Sequence, residues 1–344
     1  PTPEQIRGMT QPILTITGHY DGDQLGTLLH YRRFLQYATP EARRSIYLVM
    51  GPWDHGGTRV PTREVNGIEF GPASMVDLVK LNGDWYDWTM KGGSKPDLLK
   101  KRVAYYVAGA HAELWKWADS LEAIPTETLK LYLTSAGGRA NDAYASGALT
   151  PTAPEKSEPD HYTYNPLDPP SFDAGVTHPA AISFVDQSAV IRAAGNGVIY
   201  HTTPFAEETE VAGQLSLTAW MSLDVRDTDF QATVYEILPD GKSILLTTTL
   251  VRARYRESPR QEKLVQPGAI LPYRFTGFPF FARRLAKGSR LRLFLRSPNS
   301  TEFQKNYNGG GVVAEESGKD ARTAHVTIYH DPEHPSVLEV PITR

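Results

Sequence analysis

Residues 12–57 read PILTITGHYDGDQLGTLLHYRRFLQYATPEARRSIYLVMGPWDHGG. The run 12–17 is apolar or β-branched and stops at Gly18, as a short buried strand does. Leu25, Leu28, Leu29, Arg32, Phe34 and Leu35 then recur at helical spacing until Thr39-Pro40 closes the segment. Residues 45–50 (SIYLVM) form a second, near-continuous apolar run ended by Gly51-Pro52, and such strands usually lie inside a parallel sheet covered on both faces. Strand, helix, strand predicts an α/β layer, in which sites gather at the carboxyl ends of the strands.

Further along the chain, a helix is expected from Ser74, with Asp77 completing an imperfect capping box, through Trp88 to a stop at Gly92-Gly93. Residues 103–107 (VAYYV) read as another strand, and the stretch around Trp115, Trp117 and Pro125 as a crossing segment whose rings fill a domain seam. A boundary is expected near residues 119–127. Beyond Thr128 no long helical period occurs. Short alternating segments at 129–133, 197–201, 213–223, 230–238, 243–251 and 289–295, with turns such as Pro239-Asp240-Gly241, predict a β-sandwich or jelly roll of about 200 residues. Pro-rich and polar residues at 150–180 read as long surface connections. The length of 344 residues exceeds the roughly 250–300 at which single cores stop growing, which agrees with two domains.

Charge and composition exclude several classes. Lys plus Arg total 36 against 39 for Asp plus Glu, a net charge of -3, so no global field recruits nucleic acid or an anionic membrane. There is no Cys, hence no disulfide framework, thiolate nucleophile or Cys-based metal site. No apolar run reaches the roughly 18 residues of a bilayer span, and the first residues lack a basic and apolar leader. The expectation is a soluble chain, cytoplasmic or exported. Pro1 in place of Met suggests that translation begins further upstream.

The loops 18–23 (GHYDGD) and 51–57 (GPWDHGG) each place ionisable residues after a predicted parallel strand. Asp21 and His55 would then sit on neighbouring loops, as a base and the carboxylate that orients it require. The α/β-hydrolase order is Ser, then Asp or Glu, then His, but residues 1–20 hold no Ser and no G-x-S-x-G occurs. Either that class is wrong or the nucleophile lies upstream of Pro1. Two other readings stay open. His19, Asp21, Asp23, Asp54 and His55 could form the metal site of a metallohydrolase, although no H-E-x-x-H or Ca²⁺-loop pattern supports it. The β-rich part could be a non-catalytic module that binds carbohydrate or a partner through an exposed aromatic platform. Asp23 and Asp54 read more simply as loop-capping carboxylates, and the tryptophans as packing. Arg283, Arg284, Lys287, Arg290, Arg292 and Arg296 read as a solvated strand face or domain-interface pairs, and residues 306–311 (NYNGGG) as a flexible loop.

From about residue 11 to 125 the sequence resembles the end of the catalytic domain in the X-prolyl dipeptidyl-peptidase and cocaine esterase (CocE/NonD) hydrolases, a family that includes α-amino-acid ester hydrolases. Pro12, Leu14, Gly18, Tyr20 and Asp21 match that family's acid-bearing P-x-L-x-x-x-G-x-[YFW]-D run. Gly51, Pro52, Trp53 and His55 match its base-bearing G-P-W-x-H. Gly67, Phe70 and Gly71, then Trp85, Tyr86 and Asp87, then residues 109–117 follow in the family's order. The remainder resembles the family's carboxyl-terminal jelly roll, through 224–229, Leu238-Pro239-Asp240-Gly241, 272–275 and 287–293. His19 stands where the family usually has Trp.

The resemblance implies the carboxyl-terminal part of an α/β-hydrolase domain over 1–125 and a jelly-roll domain over 126–344. It implies a serine hydrolase of ester or amide bonds with Asp21 and His55 as catalytic residues, no metal and no cofactor. Its partners would be a small ester, amide or peptide substrate and an upstream segment carrying the Ser nucleophile, with homo-oligomers allowed and neither nucleic acid nor membrane required.

Overall fold

The computed structural model describes residues 1–112, 114–168, 183–186, 196–299 and 303–343. Residues 169–180 of the Pro-rich connection expected at 150–180 lie outside the described residues, while Asp160–Tyr164 within it form a paired, alternately buried strand rather than a surface connection. The first elements are α1 (Pro3–Arg7), β1 (Ile13–Tyr20), α2 (Gln24–Tyr37), α3 (Pro40–Arg43), β2 (Ile46–Asp54), a small hairpin of β3 (Glu64–Val65) and β4 (Ile68–Glu69), α4 (Leu78–Lys91), β5 (Val103–Gly109) and β6 (Leu114–Ala118).

β1 runs parallel to β2 with Ile13 opposite Ile46, β2 parallel to β5, and β5 antiparallel to β6. The period-2 alternation of β2 serves both faces. Ile46, Leu48 and Met50 pack with Leu28, Tyr31 and Phe34 of α2, while Tyr47, Val49 and Trp53 pack with Leu78, Leu81 and Trp85 of α4. Each such fully buried side chain contributes roughly 1.5–3 kcal/mol. The helix expected from Ser74 starts later. Asp77 has extended backbone and its carboxylate accepts the Lys80 N–H at 2.8 Å, so Asp77 is the cap, while residues 72–74 form a separate 3₁₀ turn. The helix ends at Gly92, whose φ of 73° lies in the left-handed region.

The rest of the chain is β7 (Thr126–Thr134), β8 (Gly147–Thr150), β9 (Asp160–Tyr164), β10 (Gly197–His201), β11 (Thr209–Gly213), β12 (Ser216–Leu223), β13 (Asp229–Ile237), β14 (Ser243–Arg252), β15 (Leu271–Phe275), β16 (Phe281–Leu285), β17 (Arg290–Arg296), β18 (Ala324–Tyr329) and β19 (Val337–Thr343). The described residues are strand-rich with few helices, and 17 of their strands form one mixed, hydrogen-bonded network. One run follows the order β14-β13-β17-β10-β8-β7. A second is built around β15-β12-β18-β9 and, through β19, around β11 and β16. Val198, Tyr200, Val234 and Leu293 of the first run share a core with Leu217, Met221, Phe275 and Ile328 of the second. β16 also pairs in parallel with β5, which joins this β-layer to the first sheet.

Three expectations change. The strand expected at 213–223 starts later, at Ser216, and residues 209–213 form a separate strand; β19 pairs with β11 through residues 342–343 and with β12 through 337–339. The basic residues divide. Arg283 pairs with buried Glu236, and Arg284 with Lys116 shares Glu210 beside the joined sheets, but Arg292 and Arg296 are buried rather than solvated. Their face of β17 carries Phe294, which packs with Ile199 and Tyr235 in a second, smaller cluster. Finally, residues 306–311 are a packed loop: Asn306 is buried and donates to Asp227 and Asp229, and buried Asn308 donates to Arg322 O. Among the described residues no helix is long and apolar enough to cross a membrane.

Candidate active site

The ends of β1 and β2 touch so closely that only glycine fits between them. A Cβ on Gly18 would collide with the carbonyl of Trp53, and one on Gly57 would lie 2.7 Å from the Trp53 Cβ. Trp53 itself is buried and donates its indole N–H to Ser74 O at 2.9 Å. With the register interrupted between Gly18 and Tyr20, the chain turns at once and brings Asp21 beside the loop after β2.

Asp21 is 6% exposed. Its Oδ2 accepts the Thr17 hydroxyl at 2.8 Å, and its Oδ1 accepts the Asp23 N–H at 3.0 Å and faces His55 Nδ1 at 3.0 Å. Because Asp21 offers only acceptors there, the network assigns the proton to Nδ1 and leaves Nε2 as an acceptor. The His55 side chain is 54% exposed, and among the described residues Nε2 has no hydrogen-bond partner. The pair thus has one end locked in the protein and the other open.

The neighbouring candidates separate. Asp23 is 76% exposed, with its carboxylate 3.5 Å from His55 Nδ1. Asp54 accepts the Gly57 N–H at 2.7 Å and shapes the turn that presents His55. His19 points the other way. It is buried against Phe280, its Nε2 has no partner among the described residues, and burial, aided by Arg283, pushes its pKa down to about 3. The ring that replaces the family's Trp is therefore a neutral core ring. Of the five residues weighed as metal ligands, only Asp21, Asp23 and His55 bring ligand atoms within 4.8 Å of one another.

Sequence reasoning missed three supports. Thr17 lies four residues before Asp21 and shares its carboxylate, a signal available in a strand-end Thr. The glycine requirement at Gly18 depends on a strand not adjacent in sequence. Gln24 is wholly buried and bonds both Gly18 and Phe280. A second Ser, His and Asp chain also went unread: Ser157 Oγ lies 2.7 Å from His330 Nδ1, whose Nε2 is 3.0 Å from Asp160. There, unlike at His55, the imidazole is fully buried, and Asp160 also accepts Ser135 and Tyr200 hydroxyls.

Comparison with known proteins agrees with this architecture. The family profile described as X-Pro dipeptidyl-peptidase C-terminal non-catalytic domain matches residues 88–339. The chain is 27% identical to the cocaine esterase of Rhodococcus sp. (strain MB1 Bresler) over 99% of its own length and 58% of that protein's. Its fold is similar to an aminopeptidase from a marine sediment Thaumarchaeota archaeon, with a TM-score of 0.84 at 21% identity over 99% of this chain and 57% of that one. It is also similar to an α-amino acid ester hydrolase, with a TM-score of 0.78 at 20% identity over 99% and 57%. The chain spans little more than half the length of each relative, and Asp21 and His55 precede the matched range. By its matched domain and these relatives, the chain belongs to the X-Pro dipeptidyl-peptidase and cocaine esterase (CocE/NonD) family of hydrolases, as the portion that carries the carboxyl-terminal non-catalytic domain.

Proposed function

We propose that residues 1–125 are the closing part of an α/β-hydrolase domain and residues 126–344 a jelly roll, and that the whole protein hydrolyses ester or amide bonds through an acyl-enzyme. The observation that carries this is the 3.0 Å contact between Asp21 and His55 Nδ1, with Nε2 open to solvent. In this reading a Ser from outside these residues attacks the substrate carbonyl while His55 Nε2 takes its proton. Asp21 holds the imidazole in the required tautomer and stabilises the imidazolium. His55 then passes the proton to the leaving alcohol or amine, and water repeats the sequence on the acyl-enzyme. The 344-residue chain alone, lacking nucleophile and oxyanion donors, has no turnover above background.

A binding-module reading has no use for the Asp21 and His55 contact. The metallohydrolase reading draws on the cluster of Asp21, Asp23 and His55. One experiment separates the alternatives. In the whole protein, Asp21→Asn and His55→Ala should each lower turnover by about 10⁴, with far-UV circular dichroism unchanged. Asp23→Asn and a chelator should leave most activity in place. Near-normal turnover in Asp21→Asn would end the serine-hydrolase assignment, and loss on chelation would favour the metal.

A further inference from the structure

Gln24 opens α2 three residues after Asp21, and its buried carboxamide is shared between the two layers of the molecule. Nε2 donates to Gly18 O at 2.9 Å and to Phe280 O at 2.8 Å, while Oε1 accepts the Phe280 N–H at 2.6 Å. The two bonds with Phe280 are the reciprocal exchange that neighbouring strands make, here made by a side chain. Gly18 O also receives the Asp21 N–H at 3.3 Å. One carbonyl therefore anchors both the turn that aims Asp21 and the amide that reaches residue 280. Phe280 directly precedes β16 and falls inside the range matched to a non-catalytic domain.

We infer that Gln24 is a positioning residue through which the β-layer, by way of Phe280, holds Asp21 against His55 Nδ1; this rests on the reading of Asp21 and His55 as paired catalytic groups. The physical reason is the cost of leaving buried groups unpaired. Without the amide, Gly18 O loses one of its two donors, and the Phe280 N–H and C=O lose this partner in a buried setting, at a cost the chain reduces by moving the loop to admit water. The contact at risk is a hydrogen bond of 3.0 Å, which weakens steeply once its partners separate or tilt. The adjacent links do not replace Gln24. Tyr20 donates to Leu245 O at 2.9 Å on the far side of the strand end, and His19 only packs against the Phe280 ring.

The test reads the tautomer of His55, not activity. Nitrogen-15 labelled histidine in the 344-residue chain gives ring signals, with those of His55 identified by their loss in His55→Ala. The wild-type chain should show the Nδ1–H form, and Asp21→Asn supplies the uncoupled reference. Gln24→Leu removes every bond, whereas Gln24→Glu keeps the volume and the acceptor for Phe280 but loses the donor to Gly18 and Phe280 at neutral pH. Gln24→Glu therefore answers the question if Gln24→Leu does not fold. Both should move the His55 pattern at least halfway to that of Asp21→Asn. A folded Gln24 variant with the wild-type pattern would overturn the inference. Failure of the catalytic reading would show separately, as undiminished turnover of Asp21→Asn in the whole protein.

Discussion

His55 and His330 show one side-chain pairing in two settings. Both imidazoles meet a buried carboxylate at 3.0 Å, but His55 leaves its second nitrogen in solvent whereas His330 is enclosed. A base must reach both nucleophile and leaving group, so only the first arrangement suits repeated proton transfer. His19 gives the residue scale its pH dependence. Its folded-state pKa of about 3 lies below the ordinary 6.5, so between those values the unfolded chain binds a proton that the folded chain refuses. Stability is therefore lost as pH falls from about 6.5 towards 3. Replacing His19 with Phe should flatten the fall of Tm across that window, measured by calorimetry at pH 7, 5 and 4. A residual slope should remain from His201, which burial, with Arg292 and Arg290, pushes down to about 4. An unchanged profile in His19→Phe would show that the ring is not the titrating group.

At the scale of elements, the site depends on β1 and β2 running nearly into contact. Gly18→Ala places a methyl group on the Trp53 carbonyl, a backbone atom that cannot swing aside, and should destabilise the fold by about 1–3 kcal/mol or more. Gly22→Ala, with open space around its Cβ, should be near neutral by the same urea titration. Equal effects at the two positions would contradict the packing account. These elements also show what sequence can and cannot reveal. The runs at 12–17 and 45–50 announce buried parallel strands because each is apolar on both faces; the structure bears out the parallel pairing at both and the burial at β2, whereas Ile13, Leu14, Thr15 and Ile16 of β1 are only half-buried. Asp21 and His55 were legible because they follow those strands within distinctive motifs. Gln24 was not, since its partner lies 256 residues away and nothing local marks it. Arg292 and Arg296 misled because alternation on a strand suggests a wet face, whereas here they share their face with Phe294, Ile199 and Tyr235 and bond His201 and Gln231 of the neighbouring strands. The helix near 77 begins a few residues later than expected although both Ser74 and Asp77 are competent caps: Asp77 accepts the Lys80 N–H, whereas Ser74 lies in a 3₁₀ turn and its carbonyl accepts the Trp53 indole N–H.

At the scale of the whole molecule, the sheet carrying the candidate site and the β-layer are continuous. β5 pairs with β16, buried Arg283 meets buried Glu236, and Lys116 and Arg284 share Glu210 beside that junction. Breaking such a pair by removing one partner leaves an uncompensated buried charge, so these contacts are costly to lose even though an ion pair adds little net stability. In the proposed reading, a domain described as non-catalytic therefore adjoins the candidate site whose Asp21 and His55 lie before it in sequence. In the proposed mechanism Asp21 and His55 serve a Ser outside these 344 residues. A fluorophosphonate, which esterifies activated serines, followed by intact-mass and peptide mass spectrometry, tests it most directly. The whole protein should gain one adduct on a Ser outside residues 1–344 and lose that labelling in His55→Ala, while the 344-residue chain should gain none. A stoichiometric adduct on any Ser within the chain, Ser157 included, or labelling that survives His55→Ala, would contradict it.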